Sequence, residues 1–109
     1  MQILLHSDPN TDGGHRMSEH LTSVVQDALK HFGERITRVE AHLSDSNSLS
    51  KSSTDGIHCT MEARLVGLEP VVVKDQAGNA HQAIEGALRK LKRAVAAELE
   101  KHDPRQQRA

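Results

Sequence analysis

The sequence predicts an α/β protein of the α+β type, with the element order β-α-β-β-β-α and two helices packed on one face of a four-stranded sheet. Two segments carry apolar residues at spacings of three and four, which predicts two amphipathic helices. Two other segments alternate apolar and polar residues, which predicts strands with one exposed face. Segments rich in Gly, Ser, Asp and Asn lie between them and predict turns.

The N-terminal half contains a predicted strand followed by a predicted helix. Ile3 and Leu5 alternate with their neighbours in a short strand, which ends at the turn-rich segment 7–14. The helix has a single apolar stripe, and Gly33 follows it at a position typical of a C-cap glycine. The stripe consists of Met17, Leu21, Val24, Val25, Ala28, Leu29 and Phe32.

Three further strands are predicted in the middle of the chain. After Gly33 the apolar period changes to two, first around Val39 to Leu43 and again from Ile57 to Leu65. The intervening segment 44–56 is rich in Ser, Asp and Asn, which predicts a mobile connection. Pro70 to Lys74 predicts a short Val-rich strand, and we expect the segment 75–79 to break it.

The last predicted helix is amphipathic with a basic outer side. Its N-cap is Asn79 or Gly78, and its apolar stripe runs from Ala80 to Leu99. A rotation of 100° per residue places Arg89 and Arg93 away from the core, with Lys90 and Lys92 on the two flanks. These four residues could neutralise phosphates, although basic residues on a helix are also a common solvated surface.

Composition limits the classes of function. The chain of 109 residues fits one domain, which we expect to span residues 1–103 with a short disordered tail at 104–109. Cys59 is the single cysteine, which excludes an intramolecular disulfide and a Cys-based zinc site, and Phe32 is the only aromatic residue, which disfavours base stacking. The formal net charge is −1, but from Arg89 onward seven basic residues face three acidic ones. With no signal-like start or membrane span, we expect a cytoplasmic protein.

The residues resemble those of the ribosome hibernation-promoting factor and ribosome-associated inhibitor family, also called the sigma-54 modulation family. The segment 83–93, AIEGALRKLKR, looks like the family's final helix. The segments 25–32, VQDALKHF, and 36–43, ITRVEAHL, are similar to its first helix and second strand. The element order agrees over nearly the whole chain, which looks like a short form without the additional dimerising domain.

This resemblance implies a bacterial stress-response factor that binds the small ribosomal subunit through rRNA near the decoding region and inhibits translation in hibernating ribosomes. It implies no enzymatic activity, cofactor, small-molecule substrate or membrane partner, and a monomer is expected. Lys90 and Arg93 occupy the family's basic positions on the last helix, and Lys30 lies near those of the first. The RNA-binding residues expected are Lys30, Arg89, Lys90, Lys92 and Arg93.

Two other hypotheses fit the sequence less well. A diverged member of the same fold could bind proteins through its exposed sheet face, where Arg38 and Arg64 are expected to pair across strands with Glu40 and Glu62. A metal site could use some of the eight histidines, with His42 facing a histidine across the hairpin, at His58. Because a metal site generally needs three or four converging ligands, we expect none.

Two remaining features predict no catalysis. Cys59 lies in the inward phase of its strand, where a free thiol behaves as a small apolar side chain. The Gly13-Gly14 pair precedes a helix but lacks the Lys-Ser/Thr pair and the glycine spacing of a phosphate-binding loop. We interpret it as an ordinary connection.

Overall fold

The computed structural model describes residues 1–7, 15–45 and 56–102. Within them the chain forms four strands and two α-helices in the predicted order, which confirms the fold class. The elements are β1 Gln2–Ser7, α1 His15–Leu29, β2 Ile36–Asp45, β3 Ile57–Leu65, β4 Val71–Ala77 and α2 Ala80–Lys101. The expected connection at 44–56 is wrong at its start, because Ser44 and Asp45 belong to β2 and pair with β3. The rest of that segment up to residue 55, the Gly13-Gly14 pair and the expected tail lie outside the described residues.

The strands form one mixed sheet in the order β1-β2-β3-β4. β1 pairs in parallel with β2, because the chain crosses over through α1 between them, whereas β2, β3 and β4 pair antiparallel. The alternating residues predicted to face inward are buried on one side of the sheet, beneath both helices. These are Val39, Ala41, Leu43, Cys59, Met61, Ala63 and Leu65.

The helix stripes supply the other half of the core. In α1 the buried residues are Met17, Leu21, Val25 and Leu29. In α2 they are Ala80, Ala83, Ile84, Gly86, Ala87, Leu88, Leu91 and Val95. Since nearly all of these side chains are aliphatic, the core is held by close packing and apolar burial, without aromatic stacking. Neither described helix is long and apolar enough to cross a membrane.

The end of α1 differs from the prediction. The α-helix ends at Leu29, and a 3-10 helix spans Lys30–Arg35 before β2 begins. Phe32 therefore leaves the α-helical stripe and is only partly buried against the core. Gly33 does adopt a positive φ of 59°, but it lies within the 3-10 segment. Gly33 is not helical and interrupts the segment, so residues 30–35 depart from the spacing of three and four used to predict the helix.

The end of β4 also differs from the prediction. The segment 75–79 was expected to break the strand after Lys74, yet pairing with β3 continues to Ala77, which lies opposite Ile57. Asp75 is accommodated because it faces Gly86, a buried residue of α2 that has no side chain. Tertiary contact with α2 therefore overrides the turn preference of this segment.

Candidate nucleic-acid interface

Helix α2 is fixed at its N-terminus and along its inner face. The side-chain Oδ1 of Asn79 accepts a hydrogen bond from the backbone N–H of Gln82 at 2.9 Å, which selects Asn79 over Gly78 as the N-cap. The buried stripe then holds one side of the helix against β3 and β4. Because this inner side is fixed, the orientation of every basic residue on the outer side is fixed with it.

Three of the predicted basic residues on α2 are exposed to solvent. Arg89, Lys92 and Arg93 are exposed, and no carboxylate within residues 1–7, 15–45 and 56–102 forms an ion pair with them. They lie within little more than one helical turn, so their charges act on the same region of space. Unpaired guanidinium and ammonium groups on a rigid helix are well suited to phosphate oxygens, since no protein contact must be broken first.

A shallow groove between the two helices adjoins these cations. Arg89 and Lys92 line it from α2, and Ser23 lies on the α1 side. Asp27 and Glu85 also line the groove, so its two cations are balanced by two carboxylates. Arg93 does not line the groove, so the positive charge that these carboxylates leave unbalanced lies on the outer side of α2, at Arg93.

Lys90 has a different environment, on the β4 flank of the helix. Its Nζ donates to the backbone carbonyl oxygen of Lys74 at 2.8 Å and lies 3.4 Å from Oδ1 of Asp75. A hydrogen bond from the backbone of Gln76 lowers the pKa of Asp75 despite its partial desolvation, and the hydrogen bond and charge of Lys90 and the charge of Arg89 lower it further. Lys90 thus fastens α2 to the edge strand.

Lys30 stands apart from the cations on α2. It opens the 3-10 segment just after α1, and its Nζ lies 3.6 Å from Oδ1 of Asp27. Helix α1 itself carries Arg16 against Glu19 and Asp27, so its formal charge is slightly negative. The structure brings Arg89, Lys92 and Arg93 together and leaves Lys30 beside a carboxylate, which the spacing of basic residues alone did not reveal.

The outer sheet face carries charges in an arrangement that differs from the prediction. Arg38 lies opposite Arg64, and Glu40 opposite Glu62, so the expected cross-strand ion pairs are wrong. Each arginine pairs instead with the glutamate two residues away on its own strand. The register of β2 with β3, which the alternation does not specify, places like charges across from each other.

The histidines on this face also pair differently. His42 lies opposite Thr60 on β3, and His58 lies opposite Ser44, so the predicted His42–His58 pair does not face across the hairpin. The parallel neighbour β1 places His6 in register with His42, and the two imidazole rings stack with centroids 4.6 Å apart. His6 does lie in the outward phase of its strand, but sequence alone did not indicate which strand would pair with β1.

Cys59 is buried in the core beneath α2. Burial, followed by the nearby charge of Asp75, raises the pKa of its thiol to about 12. A thiol with such a pKa stays protonated at neutral pH and is a poor nucleophile. The residue is therefore part of the packing, as its inward phase predicted.

The fold and the exposed residues together define a small α+β protein with three basic side chains on the outer side of its second helix. The chain belongs to the sigma 54 modulation protein / S30EA ribosomal protein family, whose model matches residues 9–103. This confirms the resemblance found in the sequence. The family comprises ribosome-associated modulation factors.

Two solved structures share this fold. The crystal structure of the Thermus thermophilus Protein Y N-terminal domain superposes with a TM-score of 0.66 at 16% identity, covering 87% of this chain and 96% of that one. A ribosomal subunit interface protein from Coxiella burnetii gives a TM-score of 0.66 at 11% identity, covering 91% of this chain and 99% of that one. At such identities the likeness establishes the fold alone. No curated protein sequence matches the chain significantly.

Proposed function

We propose that this protein is a ribosome hibernation factor, which binds rRNA of the small subunit near the decoding region and inhibits translation there. Family membership supports an action on the ribosome, as does the fold it shares with a protein described as a ribosomal subunit interface protein. The observation that carries the proposal is the group of exposed cations on α2, Arg89, Lys92 and Arg93, which form no ion pair with a carboxylate in the described part of the chain. In this proposal the protein is a cytoplasmic monomer with one domain over residues 1–103. It acts without catalysis, in the stress response of a bacterium.

The chemistry of this surface favours recognition of RNA by shape and charge. Arg89 and Arg93 are four residues apart, so their side chains start about 5–6 Å from each other on one helix face. Such a pair can contact successive phosphates along one strand, with Lys92 beside them. With Phe32 as the only aromatic residue, the protein lacks a platform for stacked bases, and the interaction is expected to depend little on base identity.

Lys90 and Lys30 have secondary roles in this proposal. Lys90 is held by β4 and adds positive potential near the helix flank. Lys30 can bind an rRNA phosphate only after its ion pair with Asp27 breaks. The helix-borne contacts should therefore be dominated by Arg89, Lys92 and Arg93.

The experiment is sedimentation of the purified full-length protein with small ribosomal subunits over a range of salt concentrations. The variant Arg89→Glu/Arg93→Glu should lose binding, and replacing the same residues with neutral Gln should reduce the slope of log affinity against log salt by about 1.8, because two phosphate contacts disappear. The matched control is Arg64→Glu/Lys74→Glu, which makes the same change in net charge on the outer sheet face.

Loss of binding in the helix variant with retention in the sheet variant supports the proposal. The converse result would favour the alternative, in which the fold serves as a protein-interaction module through its sheet face. A wild-type protein that stays in the supernatant at low salt would refute ribosome binding altogether.

A further inference from the structure

A second cluster of functional groups lies on the outer sheet face, on the opposite side of the sheet from α1 and α2. Nε2 of His6 lies 3.3 Å from Oε2 of Glu40, and Nε2 of His42 lies 3.6 Å from the same oxygen. All three ligand atoms lie within 4.8 Å of one another. Two imidazoles and one carboxylate thus converge on a single point at the sheet surface.

The backbone positions these groups together. β1 pairs with β2 so that His6 lies directly beside His42, and Glu40 precedes His42 by two residues and shares its face. Two paired strands are a rigid support, so only side-chain torsions remain to be adjusted. This placement depends on the parallel pairing of β1, which the local sequence pattern does not indicate.

The separations match those between ligands of one metal ion. Zinc binds histidine nitrogen at about 2.0–2.1 Å, and in a tetrahedron this places neighbouring ligand atoms about 3.3–3.4 Å apart. The two distances from Glu40 Oε2, 3.3 and 3.6 Å, already have this size. The imidazoles are stacked at an interplanar angle of 15°, so to direct both in-plane nitrogen lone pairs at one ion the two exposed rings must rotate about their side-chain torsions.

Arg38 and solvent access complete the arrangement. The guanidinium of Arg38 binds Oε1 of Glu40, which leaves Oε2 directed at the two imidazoles. Outer hydrogen bonds of this kind orient a ligating carboxylate. The carboxylate side chain is only 13% exposed, whereas the side chains of His6 and His42 are 49% and 54% exposed, so an ion can enter from solvent.

We propose that His6, Glu40 and His42 form a binding site for one divalent transition-metal ion of the Zn²⁺ type, with its remaining coordination position open to water. Nitrogen and carboxylate ligands suit this class of ion better than Mg²⁺ or Ca²⁺, which prefer oxygen ligands alone. The ion would tie the edge strand β1 to β2. The site lies on the opposite sheet face from the candidate rRNA interface, so it does not rest on the proposed function.

The test uses the tag-free, full-length protein and Zn²⁺ in competition with a chromophoric chelator, with Co²⁺ absorption as the report on coordination geometry. Wild-type protein should bind one ion per chain and show the visible bands of four-coordinate Co²⁺. The variant His6→Gln/His42→Gln should lose both, and Arg38→Gln should weaken Zn²⁺ binding by about tenfold or more. Circular dichroism establishes that each variant is folded.

The matched control is His58→Gln, which removes a histidine from β3, where it lies diagonal to His42. This variant should retain the stoichiometry and affinity of the wild type. The proposal is overturned if wild-type protein binds no Zn²⁺ below millimolar concentration, because the cluster is then only a set of ion pairs around Glu40. It is also overturned if the His6→Gln/His42→Gln variant binds as tightly as the wild type.

Discussion

The substitution Gly86→Ala tests how closely α2 lies against β4. A Cβ atom at position 86 would lie 1.7 Å from Oδ2 of Asp75 and 2.9 Å from its Cγ. The carboxylate must therefore swing away, and it then gives up its hydrogen bond from the Gln76 backbone and its contact with Lys90. The backbone of β4 need not move, because the Asp75 Cβ atom is 3.6 Å from the new methyl group.

Two opposing effects determine the change in the free energy of unfolding. Replacing glycine by alanine inside a helix stabilises it by about 1 kcal/mol. Displacing the charged hydrogen-bonding group costs about 2 kcal/mol. We therefore expect Gly86→Ala to destabilise the protein by about 1 kcal/mol. In an Asp75→Ala background the clash is absent, and the same substitution should stabilise by about 1 kcal/mol, a coupling of about 2 kcal/mol.

Urea unfolding followed by far-ultraviolet circular dichroism measures these changes, since the chain contains no Trp or Tyr for intrinsic fluorescence. The variant Asp75→Asn is the matched control, because it keeps the shape of the side chain and removes its charge. In that background the clash remains but the displaced group is neutral, so Gly86→Ala should destabilise the protein less than it does in the wild type. Equal stabilisation by Gly86→Ala in the wild type and in Asp75→Ala would refute the contact between Asp75 and Gly86.

Three further predictions concern the groove, the core and the outer sheet face. Asp27→Asn removes a carboxylate from the groove and releases Lys30 from its ion pair. The affinity for small subunits should therefore rise at low salt, by about twofold if an rRNA phosphate lies about 10 Å from the position of the lost charge. A fall in affinity would contradict the charge assignment. Burial raises the pKa of Cys59 to about 12, so alkylation of the native protein should be slow and accelerate with urea, and rapid native labelling would contradict its burial. Arg38 and the adjoining imidazoles outweigh desolvation and hold the pKa of Glu40 below its ordinary value of 4.5. Ionised Glu40 should therefore stabilise the folded protein fully at a pH above 4.5, and this stabilisation should be lost as the pH falls through the lower pKa that Glu40 has in the folded state. Glu40→Gln, compared in the presence of a chelator, should flatten this part of the dependence of the urea midpoint on pH, and an unchanged profile would contradict the assignment.

Local periodicity predicted the elements and the buried faces of this fold. The alternation in 57–65 identified Cys59 and Met61 as inward, and both are buried. The prediction that β4 ends before Asp75 was wrong, because Asp75 packs against Gly86 of α2 and this contact overrides its preference for turns. Such a contact has no local signal in the sequence.

The sequence predicted which basic residues of α2 face outward, but not which of them form contacts with other elements. Helical geometry predicted Arg89 and Arg93 on the outer side of α2, and both are exposed there. It did not indicate that Lys90 would bind β4. The pairing of His6 with His42 has no local signal in the sequence, because the parallel neighbour of β1 is fixed by the crossover through α1 and not by a hairpin.

Photocrosslinking on small ribosomal subunits tests the central claim, that the outer side of α2 contacts rRNA, most directly. A photoreactive residue is introduced at Ala96, which is exposed on α2 near Arg93, or at Val72, which is exposed on β4. Illumination of the complexes should give an rRNA adduct from position 96 and none from position 72. An adduct from position 72 alone, to RNA or to protein, would show that the sheet face makes the contact and would contradict the account.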